Sequence, residues 1–169
     1  MYVKSKYGLE KSIMTTSRLQ QEIKKKRPFE AVEQEALLNL VRTNDQISIR
    51  FGRLFREHGL TPAQYNILRI LRGEGKPLPI LEIASRTLTV VPGITGLIDR
   101  LEQAGYVNRV RCEKDRRVIY VAITETALGR LAELDEPVAD LHRQLACGLT
   151  AGELKELSRL LEKLRGPLA

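Results

Sequence analysis

The sequence has 169 residues, enough for one domain with a substantial core or for a compact module with helical extensions. Hydrophobic residues make up 43% of it and charged residues 29%, which excludes an intrinsically disordered chain, and no apolar run approaches the roughly 20 residues that span a membrane. A secretion signal is not expected, because no basic segment followed by an apolar one opens the chain. The two cysteines match neither a metal-site nor a disulfide spacing, so a reducing cytoplasm is the expected location.

The net charge of +7 is distributed unevenly along the chain. Residues 1–28 contain eight Lys or Arg against two Glu, and the rest of the chain carries only about +1. This basic arm is either a solvated, mobile segment or an arm that grips a nucleic-acid backbone, and the sequence leaves both interpretations open. A second basic cluster lies in residues 107–117 and has a local charge of +3. Cations gathered on one element, here Arg109, Arg111, Lys114, Arg116 and Arg117, are typical of phosphate contact.

The first predicted elements are helices. A marginal helix is predicted from Thr15 to Lys26, and residues 29–60 then carry apolar side chains at three- and four-residue steps. The end of this long helix is expected at His58-Gly59, where glycine can take the left-handed conformation. Thr61-Pro62-Ala63-Gln64 has the sequence of a capping box, so it predicts the start of another helix.

Residues 78–124 predict the order helix, turn, helix, hairpin. A short amphipathic helix over 78–86 is opened by Pro79, with Leu81, Ile83 and Ala84 turned inward. A connection over 87–91 leads to a second helix, which opens at Pro92-Gly93 and runs to about Ala104. Two strands then flank a basic loop, residues 113–117, which we call the wing tip. This order describes a winged helix-turn-helix, in which one helix enters the DNA major groove and the wing tip reaches the minor groove.

Two further helices are predicted after the hairpin. Thr124 caps a helix with a leucine stripe, and Pro137 lies inside it and should kink or break it. A second capping box, Thr150 to Glu153, starts the final helix. The apolar stripes of the long first helix and of these two helices lie outside the winged motif and must be buried against something. A second copy of the chain is the economical partner.

The predicted fold is therefore mainly α with a small β-hairpin wing, in the α+β class. We divide the chain into a basic N-terminal arm (1–28), a helical dimerisation region (29–60 and 125–169) and a winged helix-turn-helix DNA-binding domain (61–124). A homodimer of such domains would read two half-sites of a pseudo-palindromic duplex about one helical turn apart.

Four segments carry a resemblance to a known family. They are residues 60–68 (LTPAQYNIL), residues 94–107 (ITGLIDRLEQAGYV), Asp115-Arg116-Arg117 and Ile123-Thr124. In order and spacing, over roughly residues 30–165, the chain resembles the MarR-type transcriptional regulators. The resemblance implies an obligate dimer of winged-helix lobes joined by N- and C-terminal helices. It also implies a repressor that is released by a small phenolic or lipophilic ligand, or by thiol oxidation.

The wing tip is the first candidate for DNA contact. The resemblance implies that Arg117, two residues after the wing aspartate, enters the minor groove. A narrow A·T-rich groove concentrates negative potential, to which a long planar cation is suited. Asp115 can hold the Arg117 guanidinium in a forked salt bridge, and Arg116 lies between them. The alternative is an ordinary exposed ion pair of a turn, which stabilises little.

The second helix of the motif supplies the other candidates. Thr95 lies on its outer face near its start, where base contact is expected. Many members of the resembled family have Arg or Lys at the position of Gly96, so readout shifts to Thr95, the Gly93 backbone, the wing and DNA shape. Arg100 is expected either to bind phosphate or to pair with an acid of its own lobe. The weaker phosphate candidates are Arg86, Thr89 and the cap amides at Thr61.

A small-molecule effector is expected where the dimerisation helices meet the DNA-binding lobe. The residues expected to line its pocket are Phe51, Phe55, Tyr65, Leu68 and those at the start of the helix that contains Pro137. The alternative is that each of them is simply a core residue.

Other chemistry finds little support in the sequence. No glycine-rich phosphate loop, paired-carboxylate motif or Ser/His/Asp arrangement is present, so no enzyme, cofactor or metal site is predicted. The basic neighbours of Cys112 could favour its thiolate, but the resembled family places its reactive cysteine in the first helix, which has none here. Both histidines, His58 and His142, are expected at the surface or at helix ends. The rival function is a winged-helix module that binds a protein partner without binding DNA.

Overall fold

The computed structural model describes residues 17–111 and 118–168 of the chain. The chain divides into two compact units, Met1–Gln46 and Ile47–Ala169. The regular elements, in chain order, are α1 (Arg18–Glu22), α2 (Val32–Glu57), α3 (Pro62–Glu74), β1 (Leu78–Pro79), α4 (Ile80–Ser85), α5 (Ile94–Gln103), β2 (Val107–Arg111), β3 (Ile119–Ile123), α6 (Glu125–Ala146) and α7 (Ala151–Arg165), and a short 3-10 turn, Gly166–Leu168, follows α7.

The first unit contains α1 and the N-terminal part of α2. Ser17 caps α1, because its Oγ accepts a hydrogen bond from the Gln20 amide at 3.3 Å. α1 has only five residues, so it is shorter than the helix predicted from Thr15 to Lys26. Lys24 has a positive φ of 52°, a conformation that does not continue a right-handed helix.

Three helices begin at the capping residues that the sequence predicts. The Thr61 hydroxyl accepts from the Gln64 amide at 3.2 Å while the Thr61 amide donates to Gln64 Oε1 at 2.8 Å, so the capping box of α3 is complete. The same reciprocal arrangement joins Thr150 and Glu153 at the start of α7, and the Thr124 hydroxyl caps α6. The three predicted caps are confirmed. They can be predicted from sequence because a cap depends only on residues within one turn of each other.

The described strands form one antiparallel sheet in the order β1-β3-β2. β2 and β3 are the predicted wing strands and pair over their whole length. The sequence does not predict β1, in which Leu78 pairs with Val121 of β3. The helix expected over 78–86 therefore starts later, at Ile80. Ile83 is fully buried as expected, but Leu81 is 83% exposed, so its predicted inward orientation is wrong: a helix of six residues buries only a narrow face.

A single apolar core holds the second unit together. It is formed where α3, α4, α5, the sheet and the first half of α6 pack on one another, and its fully buried members include Ile67, Leu68, Leu71, Ile83, Ile98, Leu101, Val107, Val121, Leu131 and Leu134. A forked ion pair joins α3 to α6 beside this core, with Arg72 Nη2 2.7 Å and Nη1 3.0 Å from the two oxygens of Asp135. The core fixes α5 by its apolar face and leaves the opposite face outside.

α6 runs without interruption from Glu125 to Ala146, through Pro137. Of the two predicted alternatives, the break at Pro137 is therefore wrong, and the kink stays a prediction. Proline removes one backbone donor and crowds the preceding turn, which costs about 3 kcal/mol in an isolated helix interior. Here Leu134 on one side and Val138 on the other pack against the core, and this packing holds the helix across the proline.

α7 has no buried residue. Four of its five leucines are each between 37% and 47% exposed, namely Leu154, Leu157, Leu160 and Leu164, and Leu161 is partly buried. The N-terminal part of α2 likewise leaves Leu37 and Val41 exposed. Within the described residues, no helix is both long and apolar enough to cross a membrane.

Candidate nucleic-acid interface

α5 presents a polar outer face opposite its buried stripe. Leu97, Ile98 and Leu101 face the core, whereas Thr95 and Arg100 are exposed. Gly93 stands at the N-cap with a φ of +66°, a left-handed conformation that glycine adopts without strain and in which it offers no side chain to cap the helix. The first backbone amides of α5 are therefore not covered by a side chain of the N-cap residue.

A recess of about 360 Å³ lies beside the N-terminal half of α5. Its walls come from the start of α3, from the connection before α5 and from α5 itself, and they include three predicted phosphate contacts, Thr61, Thr89 and Arg100. Within the described ranges Arg100 forms no ion pair, since the neighbouring acids Asp99 and Glu102 are engaged elsewhere. The structure thus brings these three side chains to one recess, where no carboxylate of the described chain neutralises Arg100.

The cap amides at Thr61 are less available than predicted. The Thr61 amide donates to Gln64 Oε1, and the Gln64 amide donates to the Thr61 hydroxyl, while Pro62 has no amide hydrogen. The capping box that starts α3 therefore uses two of the donors that were expected to receive a phosphate, the amides of Thr61 and Gln64.

Arg86 is also engaged with its own lobe. Its Nε lies 2.7 Å from Glu82 Oε1 and its Nη1 lies 2.6 Å from Glu74 Oε2. The hydrogen bond from Arg86 holds the pKa of Glu74 below its ordinary value. Two carboxylates compete with any phosphate for this guanidinium, so Arg86 is a weaker candidate than Arg100.

Arg109 of β2 joins the wing to α5. Its Nη2 lies 2.5 Å from Asp99 Oδ1, and its Nη1 lies 2.6 Å from Glu102 Oε2. Its backbone amide donates to Glu102 Oε1 at 3.0 Å, and its Nη2 reaches within 3.5 Å of the Thr95 carbonyl oxygen. The bond to Asp99, with that to Glu102, raises the pKa of the Arg109 guanidinium above its ordinary value, although burial opposes this.

Sequence reasoning misses this role of Arg109. It counts Arg109 among the cations available to phosphate, whereas the structure shows the side chain bound to two carboxylates of α5. A signal was present: Asp99 and Glu102 are three residues apart, so they share one face of the predicted helix, and an arginine follows in the next strand.

Other predicted DNA contacts lie outside the described residues. These are Asp115, Arg116 and Arg117 of the wing tip, and Cys112, considered above only as a reactive thiol, also lies outside the described residues. The described parts of β2 and β3 end on either side of them.

A second, larger cavity of about 590 Å³ lies between α2, α3 and α6. Phe51, Phe55 and Tyr65 line it as predicted, and Phe55 stacks on Tyr65 with ring centroids 4.2 Å apart. Leu68 does not line the cavity, because it points one turn further along α3 into the core, where it is fully buried. Burial raises the pKa of the Tyr65 phenol above its ordinary value.

The part of α6 that lines this cavity differs from the prediction. The start of α6 was expected there, but Val138 and His142 of its second half supply the wall. His142 lies against Phe51, with ring centroids 5.1 Å apart. It is exposed, in agreement with its predicted surface position, and it also lines the cavity, which the sequence does not predict. His58 has the expected helix-end position, with Nδ1 3.0 Å from the Leu54 carbonyl oxygen.

Comparisons with known proteins identify the family. A family model described as the MarR family matches residues 60–119, which contain the whole of α5. The crystal structure of a MarR transcription factor from Planctomyces limnophilus is 41% identical, with 80% of this chain and 98% of that chain covered and a TM-score of 0.62. This chain belongs to the MarR family.

Two relatives extend the comparison. The HTH-type transcriptional regulator YkoM of Bacillus subtilis is 31% identical over 140 residues, which are 80% of this chain and 90% of the relative. The homoprotocatechuate degradative operon repressor of Escherichia coli is 28% identical over 113 residues, 67% of this chain and 76% of the relative. MarR proteins are transcription factors and not enzymes, so the chain is a transcriptional regulator. The predicted resemblance and the mainly helical winged fold are confirmed.

Proposed function

We propose that this MarR protein is a homodimeric repressor that binds a pseudo-palindromic duplex with sequence specificity. The observation that carries the proposal is the polar outer face of α5, where Thr95, Gly96 and Arg100 are exposed. An α-helix fits the major groove, and residues in its N-terminal half approach the base edges. Thr95 reads a base there, and the backbone at Gly93 approaches the duplex.

The recess beside α5 supports contact with the DNA backbone. Arg100 has no carboxylate partner among the described residues, and the exposed Thr89 lines the same recess. A guanidinium and a neutral hydroxyl are groups that bind phosphate oxygens. Arg100 and Thr89 thus hold the backbone next to the bases that α5 reads.

The wing tip completes the DNA contact in this proposal. Arg117 enters the minor groove, Asp115 orients its guanidinium, and Arg116 adds charge beside it. The paired strands β2 and β3 support this role, because they end immediately on either side of the tip.

The uncovered stripe of α7 supports a dimer. A helix in which four of five leucines remain between 37% and 47% exposed is stabilised when another apolar surface covers them. A second copy of the chain supplies such a surface by two-fold symmetry and sets two α5 helices on two half-sites.

The larger cavity supports regulation by a small-molecule effector. It combines the aromatic side chains of Phe51, Phe55 and Tyr65 with the polar groups of Arg69 and His142, a mixture typical of ligand pockets. The Escherichia coli relative is named as a repressor, which supports repression as the mode of action. Because the target of such a regulator is DNA, the protein acts in the cytoplasm.

Selection of duplexes from a random pool by the purified protein tests this function. The expected result is one enriched sequence with two-fold symmetry, bound by two copies of the chain as measured by mass. Arg100→Gln should then weaken binding to any duplex and reduce the slope of log K against log salt by about 0.9 for each phosphate that is no longer neutralised. Arg53→Gln, which removes an exposed charge from α2, is the matched control. Absence of any enriched duplex would favour the rival function, a winged module that binds protein.

A further inference from the structure

A three-residue cluster between the wing and α5 carries an inference beyond this function. Arg109 of β2 forms short ion pairs with Asp99 and Glu102, two acids on one face of α5. The Arg109 side chain is 23% exposed, so it is largely packed between the two elements rather than extended into solvent. Each of its two outer nitrogens has its own carboxylate, a geometry that a guanidinium fork provides and an ammonium group does not.

The main chain takes part in the same cluster. In the ladder of β2 with β3, Arg109 stands opposite Val121, and β2 is an edge strand of the described sheet. The Arg109 amide is bound by Glu102 Oε1 at 3.0 Å rather than left open at the strand edge. Glu102 therefore binds both the backbone and the side chain of one wing residue, which fixes β2 in position and orientation against α5.

From this geometry we infer that Arg109 is a positioning residue that sets the angle of α5 relative to the wing. The inference rests on the proposed DNA-binding function. DNA contact by a helix and a hairpin of one lobe requires that both fit adjacent grooves at once, and small misplacements weaken base contacts more than phosphate contacts. Arg109 also reaches the Thr95 carbonyl, next to the side chain proposed to read a base.

A positioning role and a direct phosphate contact predict different results. Removal of a phosphate contact weakens binding to all sequences about equally and lowers the salt slope. Loss of positioning weakens binding to the selected duplex and leaves binding to unrelated duplexes nearly intact, so the specificity ratio falls. The two roles also predict opposite effects of removing the Asp99 carboxylate. If Arg109 binds phosphate, its release from Asp99 should raise the affinity for DNA. If Arg109 positions α5, the same change should lower the affinity for the selected duplex.

The test measures affinity for the selected duplex and for an unrelated duplex at matched salt. Arg109→Lys, which keeps the charge but removes the fork, should lower affinity for the selected duplex about tenfold and for the unrelated duplex by less than about twofold. Asp99→Ala should have the same effect although it removes a negative charge. Arg143→Lys is the matched control, because Arg143 pairs with two carboxylates of its own helix, Glu136 and Asp140.

The possible outcomes separate the inference from the function on which it rests. If the wild-type protein prefers no duplex, the proposed function itself fails. If it prefers one and both variants keep its specificity ratio, or Asp99→Ala binds more tightly, the inference is overturned. Thermal melting and mass measurements show whether each variant is a folded dimer. If Arg109→Lys does not fold, Asp99→Ala serves as the test, because Asp99 is half-exposed and its replacement disturbs the packing less.

Discussion

α5 and α7 are two amphipathic helices with apolar stripes, of leucine and isoleucine in α5 and of leucine in α7, yet the two stripes lie in opposite environments. In α5, Leu97, Ile98 and Leu101 are at most 6% exposed, because α3, α4 and the sheet cover them. In α7, the corresponding leucines are uncovered within the described chain. The comparison shows that an amphipathic pattern reports a need for burial and not its source: the stripe of α5 is covered by its own chain, and the stripe of α7 stays uncovered within the described residues.

A cavity beneath α5 gives the strongest test of this difference between the two stripes. Ile98→Ala should lower the free energy of unfolding by about 2–5 kcal/mol, since Ile98 is fully buried and its truncation leaves a cavity in the core. Denaturant unfolding measures this loss, which should appear at every protein concentration. The control is Leu157→Ala on α7, whose cost should be close to zero in dilute protein and should rise to a plateau as protein concentration rises, because it acts on association. Equal concentration dependence for both variants would contradict the distinction.

A charge on the α7 stripe should separate the two copies. Leu157→Glu places a carboxylate in the proposed interface, where it loses water without gaining a partner. We expect a monomer by sedimentation, with a folded second unit and an affinity for the selected duplex lowered about 100-fold, because the two half-sites are no longer linked. Leu81→Glu is the control, since Leu81 is 83% exposed on α4 and outside the stripe. A Leu157→Glu protein that remains a dimer would refute the proposed interface.

The wing tip should matter for DNA and not for the dimer. Arg117→Ala should cost about 1–3 kcal/mol of binding free energy, because a cation removed from a narrow minor groove has no substitute. Titration of a labelled duplex at fixed salt gives the affinity, and mass gives the dimer. The same change at Arg53 of α2 controls for the loss of charge. Unchanged affinity at matched salt would remove the wing from the mechanism.

What the sequence predicts correctly depends on interactions within one turn or along one helix. The caps at Thr61, Thr124 and Thr150 and the buried face of α5 follow from residues that are close in sequence. The brief strand β1 does not, because Leu78 pairs with Val121, 43 residues further along the chain. A two-residue strand has no alternation of its own to reveal it.

The candidate site divides in the same way. Exposure of Thr95 and Arg100 follows from helical periodicity and is confirmed. The engagement of Arg109 is not predicted, since a sum of charges over a segment does not record which acid of another element lies beside each cation. Leu68 is misassigned for a related reason: α3 is buried over most of its circumference, and only packing decides which face meets the cavity.

The smallest expected effect is that of a substitution at Gly96. It distinguishes the contribution of this position to the stability of α5 from its contribution to DNA binding. A Cβ added at Gly96 meets nothing within 4 Å, so Gly96→Ala should stabilise the folded protein by about 0.5–1 kcal/mol through helix propensity. If the bare backbone at this position approaches the duplex, the same methyl group should weaken binding to the selected duplex severalfold. Gly129→Ala is the matched control, because Gly129 is exposed in α6 and also has open space around it, so it should stabilise without changing affinity. A Gly96→Ala protein that is more stable and binds as tightly as the wild type would show that α5 approaches DNA through its side chains alone.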